Sequence, residues 1–196
     1  MYQKYMKRGI DCILSLIGLI ILSPILLIIA VIIKVTSPGP ILFRQERVGK
    51  NNEHFRIMKF RTMRIDTPKD CPTHLLENPD QYITKIGHIL RKTSLDELPQ
   101  LWNIFIGNMA VIGPRPSLPN QYDLNELRNQ NGASKVRPGL TGLAQISGRD
   151  ELEISVKAAL DGEYVKNISF FMDLKLFFGT FMSVLRSDGV KEGKTE

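Results

Sequence analysis

From Cys12 to Ile33 the chain carries no charged residue, and most positions are Ile, Leu, Val or Ala. A helix of that length covers about 30 Å, the thickness of a bilayer's hydrocarbon core. A cleaved signal sequence fits poorly: the run is too long for an apolar leader region, and no small-residue cleavage site follows it before Lys34. Two features complicate a simple spanning anchor. Ser23-Pro24 falls at the middle, where proline removes a backbone hydrogen bond and crowds the preceding turn. A kink there divides the run into halves of about 15 to 18 Å, and the freed carbonyl needs a partner, which Ser23 or buried protein could supply. Lys4, Lys7 and Arg8 precede the run, and Lys34, Arg44 and Arg47 follow it. Positive charge on both flanks places both on the cytoplasmic side. The pattern therefore admits a spanning anchor and a re-entrant helix that dips in and returns.

Beyond the apolar run, Ser37-Pro38-Gly39-Pro40 is a cluster of breakers. Residues 41–45 and 54–61 read as strands, with Gly49-Lys50-Asn51-Asn52 as their hairpin connection. Alternation puts Phe55, Ile57 and Lys59 on one face of the second strand. Residues 66–80 are polar and proline-containing and read as a surface loop. Short helices are expected over 83–90, 98–106 and 122–130, the last facing solvent. Over 170–185, Phe170, Phe171, Leu174, Phe177, Phe178, Phe181 and Leu185 form a broad apolar stripe at helical spacing. Such a stripe faces a core or lies on a membrane. The sum is an α+β chain, with a membrane helix over 1–36, a small β-hairpin, and several short and amphipathic helices in a second unit over 37–196.

At 196 residues, one domain plus a membrane segment is the simplest division. A formal net charge of +6 and a pI near 9.4 favour acidic partners: nucleotides, phospholipid headgroups or nucleic acid. Cys12 and Cys71 have no partner spacing, so neither a disulfide framework nor a zinc site is expected, and a reducing compartment fits. His54, His74 and His88 are isolated from one another and from the cysteines.

The chemistry concentrates in Leu95-Asp96-Glu97-Leu98-Pro99, two adjacent carboxylates that follow Arg91 and Lys92. A carboxylate serves as a nucleophile, a metal ligand or a proton-transfer group. Ser94-x-x-Glu97 also fits a capping box. Pro99 weighs against a helix capped at Ser94, because it would cost the bond to the Leu95 carbonyl; a start nearer Asp96 puts the proline in the first turn. Gly113-Pro114-Arg115-Pro116 holds Arg115 in a stiff turn. Arg137-Pro138-Gly139 and Gly148-Arg149-Asp150 flank a loop whose Gly139 and Gly142 let backbone approach a ligand. Guanidinium groups bind phosphate oxygens bidentately, so arginines around an acidic pair point to a diphosphate. No phosphate-binding loop or dinucleotide fingerprint follows a strand. A membrane-tethered, non-catalytic binder of acidic partners explains the charge and the anchor but gives the acidic pair no task.

Taken in order, several stretches resemble the bacterial sugar transferases, the monotopic phosphoglycosyl transferases that begin surface-glycan assembly. They are Lys59-Phe60-Arg61-Thr62-Met63, Arg91 through Asn103, Gly113 through Pro116, Val136 through Gln145, Gly148-Arg149, Asp161, Tyr164 through Ser169, and the Ser23-Pro24 break. The resemblance covers nearly the whole chain and is to the minimal catalytic form, without the transmembrane bundle of longer relatives. It implies a re-entrant helix over 1–36 and a cytoplasm-facing catalytic domain over 37–196 with interfacial helices, at the inner membrane. It implies a ping-pong reaction in which Asp96 attacks the β-phosphate of a UDP-sugar, UMP leaves, and a polyprenol phosphate (undecaprenyl phosphate) takes the sugar phosphate. Mg²⁺ is the implied cofactor, with Glu97 its protein ligand beside catalytic Asp96. Lys59, Arg91, Arg115, Arg137 and Arg149 would hold phosphate oxygens, and Gln145 and Asp161 join the site by resemblance alone. Membrane lipid is an expected partner, nucleic acid is not, and a homodimer stays open. Asn108 stands where relatives commonly carry Asp.

Overall fold

The computed structural model describes residues 2–67, 79–148 and 152–186. Helix α1 (Lys7–Thr36) follows a wide turn at Tyr2–Met6 and ends at the Ser37-Pro38-Gly39-Pro40 cluster. Its 30 residues give a length of about 45 Å. It runs unbroken through Pro24, so the two expected halves are not separate helices. The reason is local: proline cannot donate to the Ile20 carbonyl, and the Ser23 hydroxyl donates to that same carbonyl instead, at 2.8 Å.

One side of α1 is bare and apolar, with Ile13, Ile17, Ile20, Ile21, Leu27, Ile28, Val31 and Val35 exposed. The other lies on the domain along its length. Near its start Arg8 donates to the carbonyls of Ile104 and Phe105 (2.6 and 2.7 Å), and Asp11 accepts from the backbone of Val111 (3.0 Å). At the middle, Gly18 packs so tightly on Leu101 that a Cβ would sit 3.2 Å from it. At the far end Ile29 and Ile33 bury against Phe60 and Leu90, while Arg61 donates to the carbonyls of Ser37 and Pro38.

Strands β1 (Leu42–Val48) and β2 (His54–Phe60) form the expected antiparallel hairpin, in register from Leu42 opposite Phe60 to Val48 opposite His54. Asn51 and Asn52 take the left-handed conformation that closes it. Phe55 and Ile57 meet Ile104 and Met109 in one core cluster. Helix α2 (Lys85–Lys92) is capped by Thr84, whose hydroxyl accepts from Gly87 N at 3.0 Å. Helix α3 (Gln100–Ile106) follows and stops at left-handed Gly107. Buried Asn103 staples α3 to β2: it accepts from Met58 N and donates to the Arg56 carbonyl, both at 2.9 Å.

The second half holds what the pattern did not announce. Strands β3 (Ala110–Ile112) and β4 (Gly139–Thr141) pair in parallel, three residues each. Helix α4 (Tyr122–Asn131) is not wholly solvent-facing, because Leu124 and Arg128 are buried. Helices α5 (Leu143–Ile146) and α6 (Ile154–Lys166) follow, then α7 (Phe170–Arg186). The buried face of α6 is Ala158, Asp161, Gly162 and Tyr164, a mixture without an apolar stripe to read. On α7, Leu176 and Asp173 point inward while Phe170, Phe171, Leu174, Phe178 and Met182 are exposed. Much of the phenylalanine stripe therefore faces outward rather than into the core. Of the expected loop over 66–80, residues 68–78 lie outside the described residues, as do Cys71 and His74.

A buried ion pair joins α4 to α6. Arg128 donates through Nε and Nη2 to Asp161 Oδ2 at 2.8 and 2.6 Å, with the carboxylate 1% exposed. Arg128→Ala strands that carboxylate and should cost about 3 to 5 kcal/mol of stability. Arg128→Met with Asp161→Leu removes both charges and should recover much of the loss. Thermal unfolding of the detergent-solubilised chain checks both; a double variant no more stable than the single one contradicts the ion-pair account.

Candidate active site

Asp96 and Glu97 occupy a tight 3₁₀ turn, Leu95–Glu97, between α2 and α3. Ser94 enters it in the left-handed region (φ 56) and its side chain makes no capping bond. The capping-box reading is therefore corrected: the Glu97 carboxylate does not reach back to the helix start. It is engaged by residues distant in sequence, and Pro99 is the residue that starts α3.

Two cations converge on one oxygen of Glu97. Lys59 Nζ, from the end of β2, donates to Oε1 at 2.7 Å, and Arg115 Nη2 donates to the same atom at 3.0 Å. Alternation on β2 explains the lysine, since Phe55 and Ile57 on the same face enter the core and Lys59 continues the row to its polar edge. Arg115 is held by a braced loop: Gly113 N donates to the Thr141 carbonyl, Gly139 N to the Pro114 carbonyl and Val48 N to the Ser117 carbonyl (2.8, 2.8 and 2.9 Å). Close approach requires glycine here, because a Cβ on Gly139 would lie 2.1 Å from Gly113 N. Arg91, in the last turn of α2, is oriented by a bond from its Nε to Thr62 Oγ1 at 3.0 Å.

These neighbours divide the pair electrostatically. Burial pushes both carboxyl groups up. For Glu97 the paired Arg115 and Lys59 overcome burial and hold it far below the ordinary carboxylate range. For Asp96 burial wins, with the Glu97 charge adding to it, against opposition from Lys59, Arg91 and Arg115. Asp96 is half-buried, and its carboxylate accepts no side-chain hydrogen bond among the described residues. One carboxylate is thus fixed and biased toward its charged form, and its neighbour is more basic and unencumbered.

Metal capacity follows from the same atoms. The oxygens left over are those of Asp96 and Oε2 of Glu97, hard donors that suit Mg²⁺. Among the described residues no group of three or more His, Cys, Asp or Glu side chains is gathered for a metal. Such a donor set fits an ion that keeps water and substrate phosphate in most of its positions, not a closed protein cage.

The remaining expected site residues fall elsewhere. Arg137 donates through Nε to the Gly107 carbonyl (2.8 Å), at the opposite end of α3 from the acidic pair. Asp161 is taken by Arg128. Gln145 is buried on α5, both its amide atoms lack a partner among the described residues, and it lies against Gly142, whose backbone abuts Gly113. Arg149 lies outside the described residues. Asn108 sits in the turn that closes α3, its backbone donating to the Asn103 carbonyl at 3.0 Å. His54 pairs with exposed Glu46 at 2.6 Å. Reading from sequence missed Thr62, Asn103, Asp11 and Asp173. The last two carried a usable signal, since each is a lone acid at the edge of or within an apolar stretch.

Residues 2–187 match the family model described as bacterial sugar transferase. Among curated proteins, a UDP-N-acetylgalactosamine-undecaprenyl-phosphate N-acetylgalactosaminephosphotransferase of Aeromonas hydrophila is 36% identical over 95% of this chain and 45% of its own length. Exopolysaccharide production protein PSS of Rhizobium leguminosarum bv. phaseoli is 41% identical over 92% of this chain and 95% of its own. A UDP-glucose:undecaprenyl-phosphate glucose-1-phosphate transferase of Escherichia coli K12 is 38% identical over 91% of this chain and 40% of its own. The chain thus spans less than half of two of these relatives and nearly all of the third. With the family model running through the long apolar helix α1, the acidic turn and α7 alike, the chain belongs to the bacterial sugar transferases.

Proposed function

We propose that the protein transfers a sugar 1-phosphate from a UDP-sugar to a polyprenol phosphate, by way of a phosphosugar carried on Asp96. The observation that carries this reading is the division of the pair: Glu97 pinned by Lys59 and Arg115, Asp96 basic and unencumbered beside it. A carboxylate oxygen of Asp96 attacks the β-phosphorus. The bond from that phosphorus to the bridging oxygen breaks, and UMP leaves with the oxygen and its electron pair. A phosphate oxygen of the polyprenol phosphate then attacks the same phosphorus and displaces the Asp96 carboxylate, giving the polyprenol diphosphosugar. An acyl phosphate splits one difficult transfer into two easier ones. Lys59, Arg91 and Arg115 supply the positive field for the diphosphate, whose two esterified phosphates carry one negative charge each. Mg²⁺, held by Asp96 and Glu97 Oε2 together with substrate phosphate, would supply charge neutralisation for the leaving group.

The relatives' names support this substrate class, and they differ in sugar, N-acetylgalactosamine in one and glucose in another at similar identity to this chain. Family membership therefore leaves the sugar open. Single apolar pocket contacts discriminate by only about 1 to 3 kcal/mol, so a few side chains decide it.

The membrane reading is the re-entrant one, at the bacterial inner membrane with the catalytic domain in the cytoplasm. A helix of about 45 Å standing across a bilayer separates its ends by the full hydrocarbon core. Here Arg8 and Asp11 near one end, and Ile29 and Ile33 near the other, all bind the same domain. That supports both ends lying on one side. With Cys12 and Cys71 replaced, single cysteines at Gln3 and Thr36 in oriented vesicles should react together, or be protected together, against a membrane-impermeant maleimide. Labelling from opposite sides removes the re-entrant reading.

Asp96→Asn keeps the size and loses the attacking charge, so UMP release from a UDP-sugar should fall by at least about a thousandfold with unfolding temperature preserved. Glu97→Gln loosens Lys59 and Arg115 and should cost about ten- to a hundredfold, partly restored by raised Mg²⁺. Intact-mass measurement without polyprenol phosphate tests the covalent step. A sugar-phosphate adduct that persists in Asp96→Asn eliminates Asp96 as the nucleophile.

A further inference from the structure

A pocket of ≈ 430 Å³, its open mouth included, lies between the start of α1, the turn of the β1–β2 hairpin and the turn that follows α4; Lys7, Arg8, Asp11, Lys50, Lys135 and Arg137 line it. Its charges are unevenly balanced. Lys7 pairs with Asp173 at 2.6 Å and faces Asp11 at 3.9 Å, so that corner carries one more negative charge than positive. Among the described residues Arg8 and Arg137 donate only to neutral carbonyls, those of Ile104, Phe105 and Gly107. The terminal nitrogens of Arg137 have no protein partner among the described residues, and neither do exposed Lys50 and Lys135. Four uncompensated cations against one excess carboxylate leave a surplus of three positive charges on a concave surface.

The surroundings identify what such a surface meets. The pocket opens at the start of the apolar helix, beside exposed Tyr5 and Met6. The ring of Tyr2 stacks edge-on with Phe170 at 6.0 Å, next to bare Phe171. Basic side chains bordered by exposed aromatics are the side-chain signature of headgroup depth. The pocket is also separate from the acidic pair. Arg8 and Arg137 grip the last carbonyls of α3, whereas Asp96 and Glu97 precede its first turn, and the helix between is about 10 Å long. A phosphate held here does not touch Asp96.

We propose that this pocket is a second anion site, which binds the phosphate of a negatively charged membrane lipid. The inference rests on α1 lying in the membrane and is independent of the phosphoryl chemistry. Two lipids carry the required group, an anionic phospholipid and the polyprenyl carrier.

The test is native mass spectrometry of the full chain released from neutral detergent, offered phosphatidylglycerol, phosphatidylcholine or undecaprenyl phosphate. Lys50→Ala with Lys135→Ala is the variant, chosen because both side chains are exposed and unpartnered; its unfolding temperature confirms the fold. The parent chain should retain phosphatidylglycerol above phosphatidylcholine, and the variant should lose about tenfold, since each basic group near an anionic headgroup contributes about fivefold before screening. A loss confined to phosphatidylglycerol names bulk phospholipid as the source. Loss of a second copy of undecaprenyl phosphate, with one copy kept, names the carrier. Retention by the variant within threefold of the parent for both lipids, or no preference over phosphatidylcholine, overturns the proposal. UMP release in neutral detergent is measured alongside and should be unchanged in the variant; its absence from the parent chain speaks against the transferase reading alone.

Discussion

The architecture hangs on how a bare apolar helix is held against one domain, and Asp173 is the centre of that hold. This single carboxylate on α7 accepts from Lys7 Nζ (2.6 Å), the Tyr2 hydroxyl (2.7 Å) and the Tyr164 hydroxyl (2.7 Å). It joins the start of α1 to α6 and α7, the Tyr164 bond buried and the other two partly so. A lone buried acid is costly, and it is tolerated when every strong acceptor position is used. Burial first, and the Asp173 charge with it, push both tyrosine hydroxyls well above their ordinary range and so keep them protonated as donors. The arrangement fixes where the outward phenylalanines of α7 sit relative to α1, and so sets one apolar face from two elements distant in the chain.

From that anchorage the active site follows through α3. Arg8 on α1 satisfies the terminal carbonyls of α3, Gly18 admits Leu101, and Asn103 binds the β2 backbone on the other side. A seven-residue helix has little stability of its own, so tertiary contacts must hold it in place. The acidic turn immediately before it inherits that placement. Lys59 arrives from β2, to which Asn103 is bonded, and Arg115 from a loop braced by the parallel β3–β4 pair. Apolar helix, short helix and acidic turn form one mechanical series.

What was readable in the sequence was whatever has a local signature. The apolar run, the breaker cluster after it, the hairpin and the phenylalanine stripe all depend on neighbours within a few residues, and all appear. The role of Ser23 beside Pro24 was also legible, because its partner lies three residues away. The capping box failed for the complementary reason. Glu97 satisfied a local pattern, but its partners Lys59 and Arg115 lie 38 and 18 residues off, and two cations outweigh one backbone donor. Helix α6 was hidden because its inner face is Ala158, Asp161, Gly162 and Tyr164, whose burial depends on Arg128 and Asp173 from other helices. Arginine clustering in sequence likewise did not separate Arg115, which reaches the acidic pair, from Arg137, which α3 holds at its far end.

That separation gives the chain's positive charge a division of labour. An enzyme that works on two phosphorylated substrates at a membrane needs cations in two places: around the reacting phosphorus, where they stabilise developing charge, and along the lipid surface, where they hold the protein at the right depth. On the proposed chemistry Lys59, Arg91 and Arg115 would stand at the first, opposed by two carboxylates that would keep their field from becoming an indiscriminate anion trap. Arg8, Arg137, Lys50 and Lys135 line the pocket proposed for the second, with little opposing charge. Balanced charge would suit the proposed release of UMP and product, because affinity retained after transfer slows turnover. Surplus charge suits a site whose ligand is part of the surroundings and need never leave.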